Sequence, residues 1–329
     1  MSSAAPLVTI FGGSGFVGRY ITQRMARAGW RVRVAVRRPE EAGFVRPYGS
    51  VGQVEPVQAN IRDEASTRAA IAGAQAVINC VGILAEDKWQ KFETVQAEGP
   101  ARVARLAAEA GVERLVQISA IGADGDSDSA YGRSKAEGEA AVLDAFPGAV
   151  ILRPSIVFGT EDGFFNKFAG MARLSPVLPV VGADTKFQPV FVDDVAAAAA
   201  AAAQGTGAGI YELGGPDVET FDELMQRMLK VVQRRRIRLH VPFFAARILA
   251  GLLDFAQTVT FGLFKNTMVT RDQVKLLKSD NVASGAHPGL EAFGIEPTPM
   301  DAVLDTYLYS YRPYGQYAEI TRSAKNLKA

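Results

Sequence analysis

Residues 7–18 of this chain read Leu7-Val8-Thr9-Ile10-Phe11-Gly12-Gly13-Ser14-Gly15-Phe16-Val17-Gly18. An apolar, β-branched run ends at Gly12 and a helical pattern begins at Phe16, so the stretch predicts a strand, a tight turn and a helix. In such a unit Gly12 allows the turn, Gly15 lets the backbone approach a pyrophosphate, and Gly18 lets the helix pack close to the strand. The amides that open the helix favour negative charge. We therefore predict that residues 12–18 bind a dinucleotide; the alternative is a plain glycine-rich turn.

Composition limits the classes of protein to consider. The chain has 329 residues, 48% hydrophobic and 22% charged, which is enough for one large domain with a second lobe. A net charge of +1 gives no overall field, so we expect no nucleic-acid partner, and we predict no metal site. Cys80 is the only cysteine, which excludes a disulfide framework and favours a reducing compartment. No uninterrupted apolar run is long enough to span a bilayer, and we expect no signal or transit peptide before Leu7.

A second strand is predicted over Arg31–Val36, and it runs directly into Arg37 and Arg38. NAD-specific sites place an acidic residue here for the adenosine ribose, whereas this chain has two guanidinium groups. Guanidinium pairs well with phosphate, so the 2′-phosphate of NADPH is the expected ligand. The alternative is a solvated basic turn.

Strands and helices alternate through most of the chain. Further strands are predicted at 54–57, 76–82, 115–119, 149–159 and 209–216. This order predicts an α/β fold, a Rossmann-type doubly wound parallel sheet with a smaller, mostly helical C-terminal lobe. The predicted boundaries are 1–159 plus 187–216 for the cofactor domain, 160–186 plus 217–305 for the smaller lobe, and 306–329 for an aromatic docking tail.

The glycine spacing G-x-x-G-x-x-G, with the segments Leu152–Gly159 and Gln188–Ala196, resembles the short-chain dehydrogenase/reductase superfamily, especially its extended and atypical branches. The resemblance implies adenine contacts after the third strand, a small-residue turn beside the cofactor after the fourth, and nicotinamide contacts after the sixth. The implied cofactor-contacting residues are Asn60, Ile61, Cys80, Val81, Gly82, Ile118, Ser119, Pro154 and Ser155. We interpret Cys80 as a buried strand residue rather than a nucleophile.

Tyr131 and Lys135 stand four residues apart at a predicted helix start, so they share one face. In the superfamily this pair is chemical: the lysine holds the nicotinamide ribose and lowers the tyrosine pKa, and the tyrosine exchanges a proton as hydride moves. Ser119 is the nearest candidate for the third catalytic residue, although its register does not match the family cleanly. We expect Tyr131 and Lys135 to contact the cofactor and favour this over turnover.

The C-terminal part departs from ordinary enzymes of this superfamily. A basic cluster at Gln233–Arg238 precedes Val241–Phe264, where apolar residues recur at helical spacing and predict an amphipathic helix. This helix either covers the core of the smaller lobe or docks on a membrane surface or a partner protein. A tyrosine-rich run follows at 306–317, a composition typical of interfaces, unless it packs on the chain's own surface.

Together with the superfamily motifs, the segment Leu213–Pro216, the apolar helix and the Arg312-Pro313 tail resemble the NADPH-holding accessory subunit of respiratory complex I, subunit nine of the alpha subcomplex, in its alphaproteobacterial form. The resemblance implies tightly held NADPH and no reaction of the subunit's own. It implies a place where the hydrophilic and membrane arms meet, near the quinone site. Expected partners are other complex I subunits there, with phospholipid headgroups as a further candidate. The expected location is peripheral, on the cytoplasmic face of a bacterial inner membrane or the matrix side in an organelle.

Two other functions stay open at this stage. One is a free NADPH-dependent reductase or epimerase that uses Tyr131 and Lys135. The other is a quinone-pathway or assembly factor of the same fold.

Overall fold

A computed structural model describes residues 5–246, 248 and 271–317. Seven strands form one parallel sheet, and seven of the helices are labelled in chain order. The strands are β1 (Leu7–Phe11), β2 (Arg31–Val36), β3 (Val54–Gln58), β4 (Ala76–Asn79), β5 (Arg114–Ile118), β6 (Val150–Pro154) and β7 (Gly209–Leu213). The helices are α1 (Phe16–Arg27), α2 (Glu64–Ile71), α3 (Glu98–Glu109), α4 (Ala130–Ala145), α5 (Phe165–Leu174), α6 (Val192–Ala203) and α7 (Phe221–Val231).

The sheet has the order β7-β6-β5-β4-β1-β2-β3, and every neighbouring pair is parallel. The chain runs outward from β1 to β3 and then returns to β4 on the other side of β1. This reversal produces a crevice at the carboxyl ends of β1 and β4, where doubly wound sheets bind their ligands. The predicted fold class is confirmed.

Both faces of the sheet are buried, as parallel sheets require. Along β1, Val8 and Ile10 point into the core under α1 and α6, while Leu7 and Phe11 point into the core under α2, α3 and α4. The alternation follows from the two-residue period of a strand. The alanine run of α6 removes bulky side chains, so α6 packs closely against α1 and the sheet.

The smaller lobe has its own core between α5, α7 and the helix Met300–Leu308. Residues 176–182, where the sequence predicted no strand, contain the strand Val177–Val181, which pairs in parallel with Ile237–Val241. The second of these strands overlaps the predicted basic cluster and the predicted start of the amphipathic helix. The β-branched residues in both segments favour this pairing.

Two predicted docking elements are only partly described. Of the predicted amphipathic helix Val241–Phe264, the structure describes residues 241–246 and Ile248, and a helical segment begins at Phe243. The remaining residues of the predicted helix lie outside the described part of the chain. The tail predicted from residue 306 begins inside the helix Met300–Leu308, where Tyr307 and Leu308 are buried in the lobe core. The Tyr307 hydroxyl donates to Asp162 Oδ2 at 2.5 Å, so this tyrosine stabilises the lobe itself. No helix among the described residues is long and apolar enough to cross a membrane.

Candidate cofactor site

The glycine turn lies between β1 and α1 at the mouth of the crevice. Gly12 has φ +74°, a conformation that favours glycine, and its amide donates to the Ala35 carbonyl at 2.9 Å. A Cβ on Gly18 would stand 2.2 Å from the Gly12 carbonyl oxygen, so α1 packs against the turn more closely than any side chain allows. Gly15 is the N-cap of α1 and provides no side-chain cap, which leaves the first amides of the helix available to an anion.

The adenosine end of the predicted site is a pocket of about 440 Å³ next to β2 and β3. Arg37 and Asn60 line it together, with Gln58, Ala59, Asp63 and Ser66. Arg37 Nη1 donates to Gln90 Oε1 at 3.0 Å, whereas Arg38 Nη1 forms an exposed ion pair with Glu41 at 2.9 Å. The Ile61 side chain is buried in the core below rather than lining the pocket.

The turn after β4 lies directly beside the glycine turn. A Cβ on Gly12 would stand 3.3 Å from Val81 Cγ2 and 3.4 Å from the Cys80 carbonyl carbon. Burial raises the pKa of the Cys80 thiol to about 12, against the opposing effect of the Lys135 charge. A thiol with this pKa is neutral at physiological pH, so it is a poor nucleophile. Cys80 is half-buried and follows the end of β4, whereas the sequence predicted a buried residue within the strand.

Tyr131 and Lys135 lie on the first two turns of α4, with Lys135 Nζ 5.8 Å from the centre of the Tyr131 ring. Burial raises the pKa of Tyr131 to about 12. Burial lowers the pKa of Lys135 to about 8, although the Glu139 carboxylate acts in the opposite direction. The resemblance implied a tyrosine pKa lowered by the lysine. The structure differs, because desolvation of the phenol dominates at this site.

Ser119, the candidate third catalytic residue, hydrogen-bonds a buried carboxylate. Its hydroxyl donates to the Glu139 carboxylate, which also accepts from Arg153 Nε at 3.0 and 3.1 Å. A carboxylate is a strong acceptor, so the buried ion pair holds the Ser119 hydroxyl. Ser155 is likewise engaged: its hydroxyl donates to Asn281 Oδ1 at 2.7 Å, beside the buried Pro154 at the end of β6. Ile118, also predicted to contact the cofactor, is buried at the end of β5.

The residue that fixes the start of α4 could not be identified from the sequence. Asp272 lies in the short helix Arg271–Leu276 and accepts from the Ser129 hydroxyl at 2.6 Å and the amides of Ala130 and Tyr131 at 2.9 and 3.2 Å. A carboxylate at a helix N-terminus satisfies the free amides and the helix dipole. Ser129 is a local capping signal, but no local pattern indicates a partner so distant in sequence.

These residues fit a dinucleotide. The glycine turn lets a pyrophosphate come close to the backbone, and the uncapped amides at the start of α1 can donate to it. Arg37 provides a cation at the adenosine end. At the other end, Gln96 Oε1 is buried without a hydrogen-bond partner among the described residues, as expected of a polar atom that awaits a ligand. When bound, such a cofactor supplies hydride chemistry, which the protein can only orient. In the described part of the chain, no cluster of three or more His, Cys, Asp or Glu residues could hold a metal ion.

Residues 8–214 match the family "NAD dependent epimerase/dehydratase". The chain is 36% identical to NADH dehydrogenase (ubiquinone) 1 alpha subcomplex subunit 9 of Arabidopsis thaliana, covering 98% of this chain and 83% of that protein. It is 31% identical to ceramide reductase of Caulobacter vibrioides, covering 80% and 84%.

Among solved structures, the chain is similar to triphenylmethane reductase of Citrobacter sp., with a TM-score of 0.70 and 18% identity. That alignment covers 92% of this chain and 99% of the reductase. At this identity the similarity establishes the fold and not the substrate.

Proposed function

This chain belongs to the NAD dependent epimerase/dehydratase family, and we propose that it is an accessory subunit of NADH:ubiquinone oxidoreductase, complex I, that holds NADPH without turning it over. The proposal rests on two facts together. The chain keeps the dinucleotide-binding geometry, and its relatives along nearly the whole length include a subunit of that enzyme. We also propose that the complex is of the alphaproteobacterial form and that this subunit lies where its hydrophilic and membrane arms meet.

The single observation that carries the absence of turnover is the engagement of Ser119 by Glu139. Proton transfer in this fold needs a phenol whose proton is mobile and a hydroxyl that assists it. Here the hydroxyl donates to a buried carboxylate, and the pKa of Tyr131 is raised to about 12 rather than lowered. Tyr131 and Lys135 then serve to position the nicotinamide end of the cofactor.

The preference for NADPH over NADH is supported by the charges around the adenosine pocket. Arg37 lines the pocket and donates to the neutral Gln90 side chain there, so its guanidinium can exchange this bond for one to a phosphate at little cost. An acidic residue, which NAD-specific sites use for the ribose hydroxyl, is replaced at this position by Arg37.

Attachment to the complex is proposed to involve the segment that begins at Phe243 and the tyrosine-rich tail. Phe244 and Ile248 are 70% and 62% exposed, close in sequence to the basic cluster Gln233–Arg238. Exposed apolar side chains beside cations suit a neighbouring subunit near the quinone site or phospholipid headgroups. The location proposed is therefore peripheral, on the cytoplasmic face of a bacterial inner membrane.

A second function, a free NADPH-dependent reductase, is favoured by the ceramide reductase similarity and by the retained Tyr131 and Lys135. The two functions predict different behaviour of the purified protein with NADPH and candidate acceptors, namely quinones and carbonyl compounds. We expect negligible NADPH oxidation, unchanged in Tyr131→Phe. Robust oxidation that Tyr131→Phe abolishes would identify the reductase instead.

A further inference from the structure

A second pocket, of about 470 Å³, lies in the smaller lobe where α7 ends. Its volume is within the range of sites that hold small organic ligands, roughly 300–1,000 Å³. We call it the arginine pocket, and its lining residues are Gln226, Leu229, Lys230, Gln233, Arg234, Arg235, Arg236 and Arg238. Five of these eight side chains are cationic and none is acidic, so the pocket suits an anion.

The chain enters the arginine pocket through a strained turn. At the end of α7 the Gln233 amide donates to the Lys230 carbonyl at 3.2 Å, and the Arg234 amide donates to the Leu229 carbonyl at 3.1 Å. This pattern usually places glycine at its left-handed position, which here is Gln233 with φ +54°. A side chain held in that conformation costs free energy, and such strain concentrates at functional sites. The turn brings three consecutive arginines to one pocket.

Two of these arginines are fixed by the backbone of other segments. Arg234 Nε donates to the Tyr311 carbonyl at 2.8 Å, and Arg236 Nε donates to the Ala172 carbonyl at 2.7 Å. These bonds orient the planes of both guanidinium groups before a ligand arrives. Guanidinium binds phosphate in a planar geometry, and a preorganised group loses less entropy on binding.

The charges around these arginines also favour an anion. Burial, together with the charges of Arg236 and Arg173, lowers the pKa of the Arg234 guanidinium. Within residues 5–246, 248 and 271–317, none of the three consecutive arginines forms an ion pair with a carboxylate, whereas Arg238 pairs with Asp222 at 2.9 Å. A phosphate bound by the three arginines therefore displaces no carboxylate, and it relieves the repulsion between like charges.

Exposed apolar side chains adjoin the arginine pocket. Leu174, which ends α5, is 87% exposed, and Ile237, which directly follows the three arginines, is 67% exposed. The Ile237 amide donates to the Pro176 carbonyl at 3.1 Å, so the two side chains belong to neighbouring segments. Leu239 is also exposed and lies on the same face of its strand as Ile237. These three side chains form an apolar rim beside the cations.

A phospholipid presents both chemistries of this surface in one molecule, a phosphate and, next to it, apolar chains. Free phosphate or an acidic peptide would suit the arginines, but neither requires the apolar rim. Basic clusters beside exposed apolar side chains are typical of proteins that bind anionic membrane surfaces. We propose that the arginine pocket binds the phosphate of an anionic phospholipid, with the acyl chains against the apolar rim. This inference rests on the proposed peripheral location and assigns the attachment to a lipid at a defined site.

Flotation of the full chain, loaded with NADPH, with vesicles tests the inference. Vesicles of phosphatidylcholine alone are compared with vesicles that also contain phosphatidylglycerol, an anionic phospholipid. Arg235→Gln removes an exposed cation from the pocket. Arg27→Gln removes an exposed cation from α1 and is the matched control, because it changes the net charge equally. Ile237→Thr makes the apolar rim more polar and keeps a β-branched residue in the strand.

We expect the wild type to bind vesicles with phosphatidylglycerol at least about tenfold more tightly than vesicles without it, since each arginine near an anionic surface contributes about fivefold. Arg235→Gln should weaken this binding about fivefold, and Ile237→Thr about threefold. Arg27→Gln should change it by less than about twofold. NADPH affinity and the melting temperature should stay unchanged in all three variants, because none of them alters a core residue.

Three results would overturn the inference. A loss in Arg27→Gln equal to that in Arg235→Gln would mean that net charge alone attracts the protein to the membrane. Vesicle binding unchanged by Ile237→Thr, with inorganic phosphate bound in calorimetry, would assign the pocket to free phosphate. No vesicle binding by the wild type would leave an acidic protein segment as the occupant. The proposed function is judged separately, by bound NADPH and by co-migration with NADH:ubiquinone oxidoreductase, neither of which requires vesicles.

Discussion

Arg37→Ala should weaken NADPH and leave NADH nearly unchanged. In the structure Arg37 donates to a neutral amide, Gln90 Oε1, at an exposed position. Exchanging that bond for one to a phosphate replaces a neutral hydrogen bond of ~0.5–1 kcal/mol by a charged one of ~1.5–3 kcal/mol. The net loss on mutation is about 1–2 kcal/mol, or about five- to thirtyfold in the dissociation constant.

Arg38→Ala should behave differently, although it adjoins Arg37. Its guanidinium already forms an ion pair with Glu41, so binding a phosphate there exchanges one charged bond for another. We expect a change below about threefold for NADPH, since exposed ion pairs contribute little.

The assay is titration of nucleotide-free protein with NADPH and with NADH, followed by the fluorescence of the reduced nicotinamide. Arg46→Ala, which removes an exposed cation from the segment Pro39–Tyr48, controls for the change in net charge. Equal losses for NADPH and NADH in Arg37→Ala, or a larger effect of Arg38 than of Arg37, would refute the reasoning.

Three further predictions concern stability and attachment. The pKa of Lys135 is about 8 in the folded protein and near 10.5 in the unfolded chain. Between these pH values the folded protein binds fewer protons than the unfolded chain, so the free energy of unfolding of the wild type rises with pH. In urea unfolding, Lys135→Met should therefore be more stable than wild type at pH 7 by up to about 3 kcal/mol, with the difference shrinking toward pH 10; lower stability at pH 7 would contradict this. Asp272→Ala should speed hydrogen exchange at the amides of Ala130 and Tyr131 and cost about 1–2 kcal/mol, as loss of a helix cap does, and unchanged exchange would contradict the cap. Phe244→Glu combined with Ile248→Glu should release the protein from membranes with NADPH binding intact, whereas loss of folding would assign both side chains to the lobe core.

The parts of the fold that could be predicted from sequence are those set by local physics. Residues close together in sequence determine the alternation of strands with helices, the glycine turn, and the helix that carries Tyr131 and Lys135. The structure confirms these three features. The strand Val177–Val181 was missed because its partner, Ile237–Val241, is distant in sequence and the segment alone reads as a Pro/Val-rich connector.

The candidate site was predictable in composition but not in its hydrogen bonds. Arg37 and Asn60 line one pocket next to β2 and β3, and the Gly12 turn lies beside Val81 at the carboxyl edge of the sheet. The pairing of Ser119 with Glu139 depends on how α4 sits on β5, and the cap from Asp272 crosses between lobes. Neither contact leaves a periodic or spaced signal in the sequence.

The central claim is that this chain is a subunit of NADH:ubiquinone oxidoreductase with NADPH bound for structural reasons. The most direct test is gentle detergent extraction of membranes from cells that carry a tagged copy of the full chain, native electrophoresis, and nucleotide analysis of the tagged band. The account predicts co-migration with NADH:ubiquinone oxidoreductase activity and stoichiometric NADPH that persists during NADH turnover. A tagged chain that runs alone in the soluble fraction and consumes its NADPH when a carbonyl or quinone acceptor is added would contradict it.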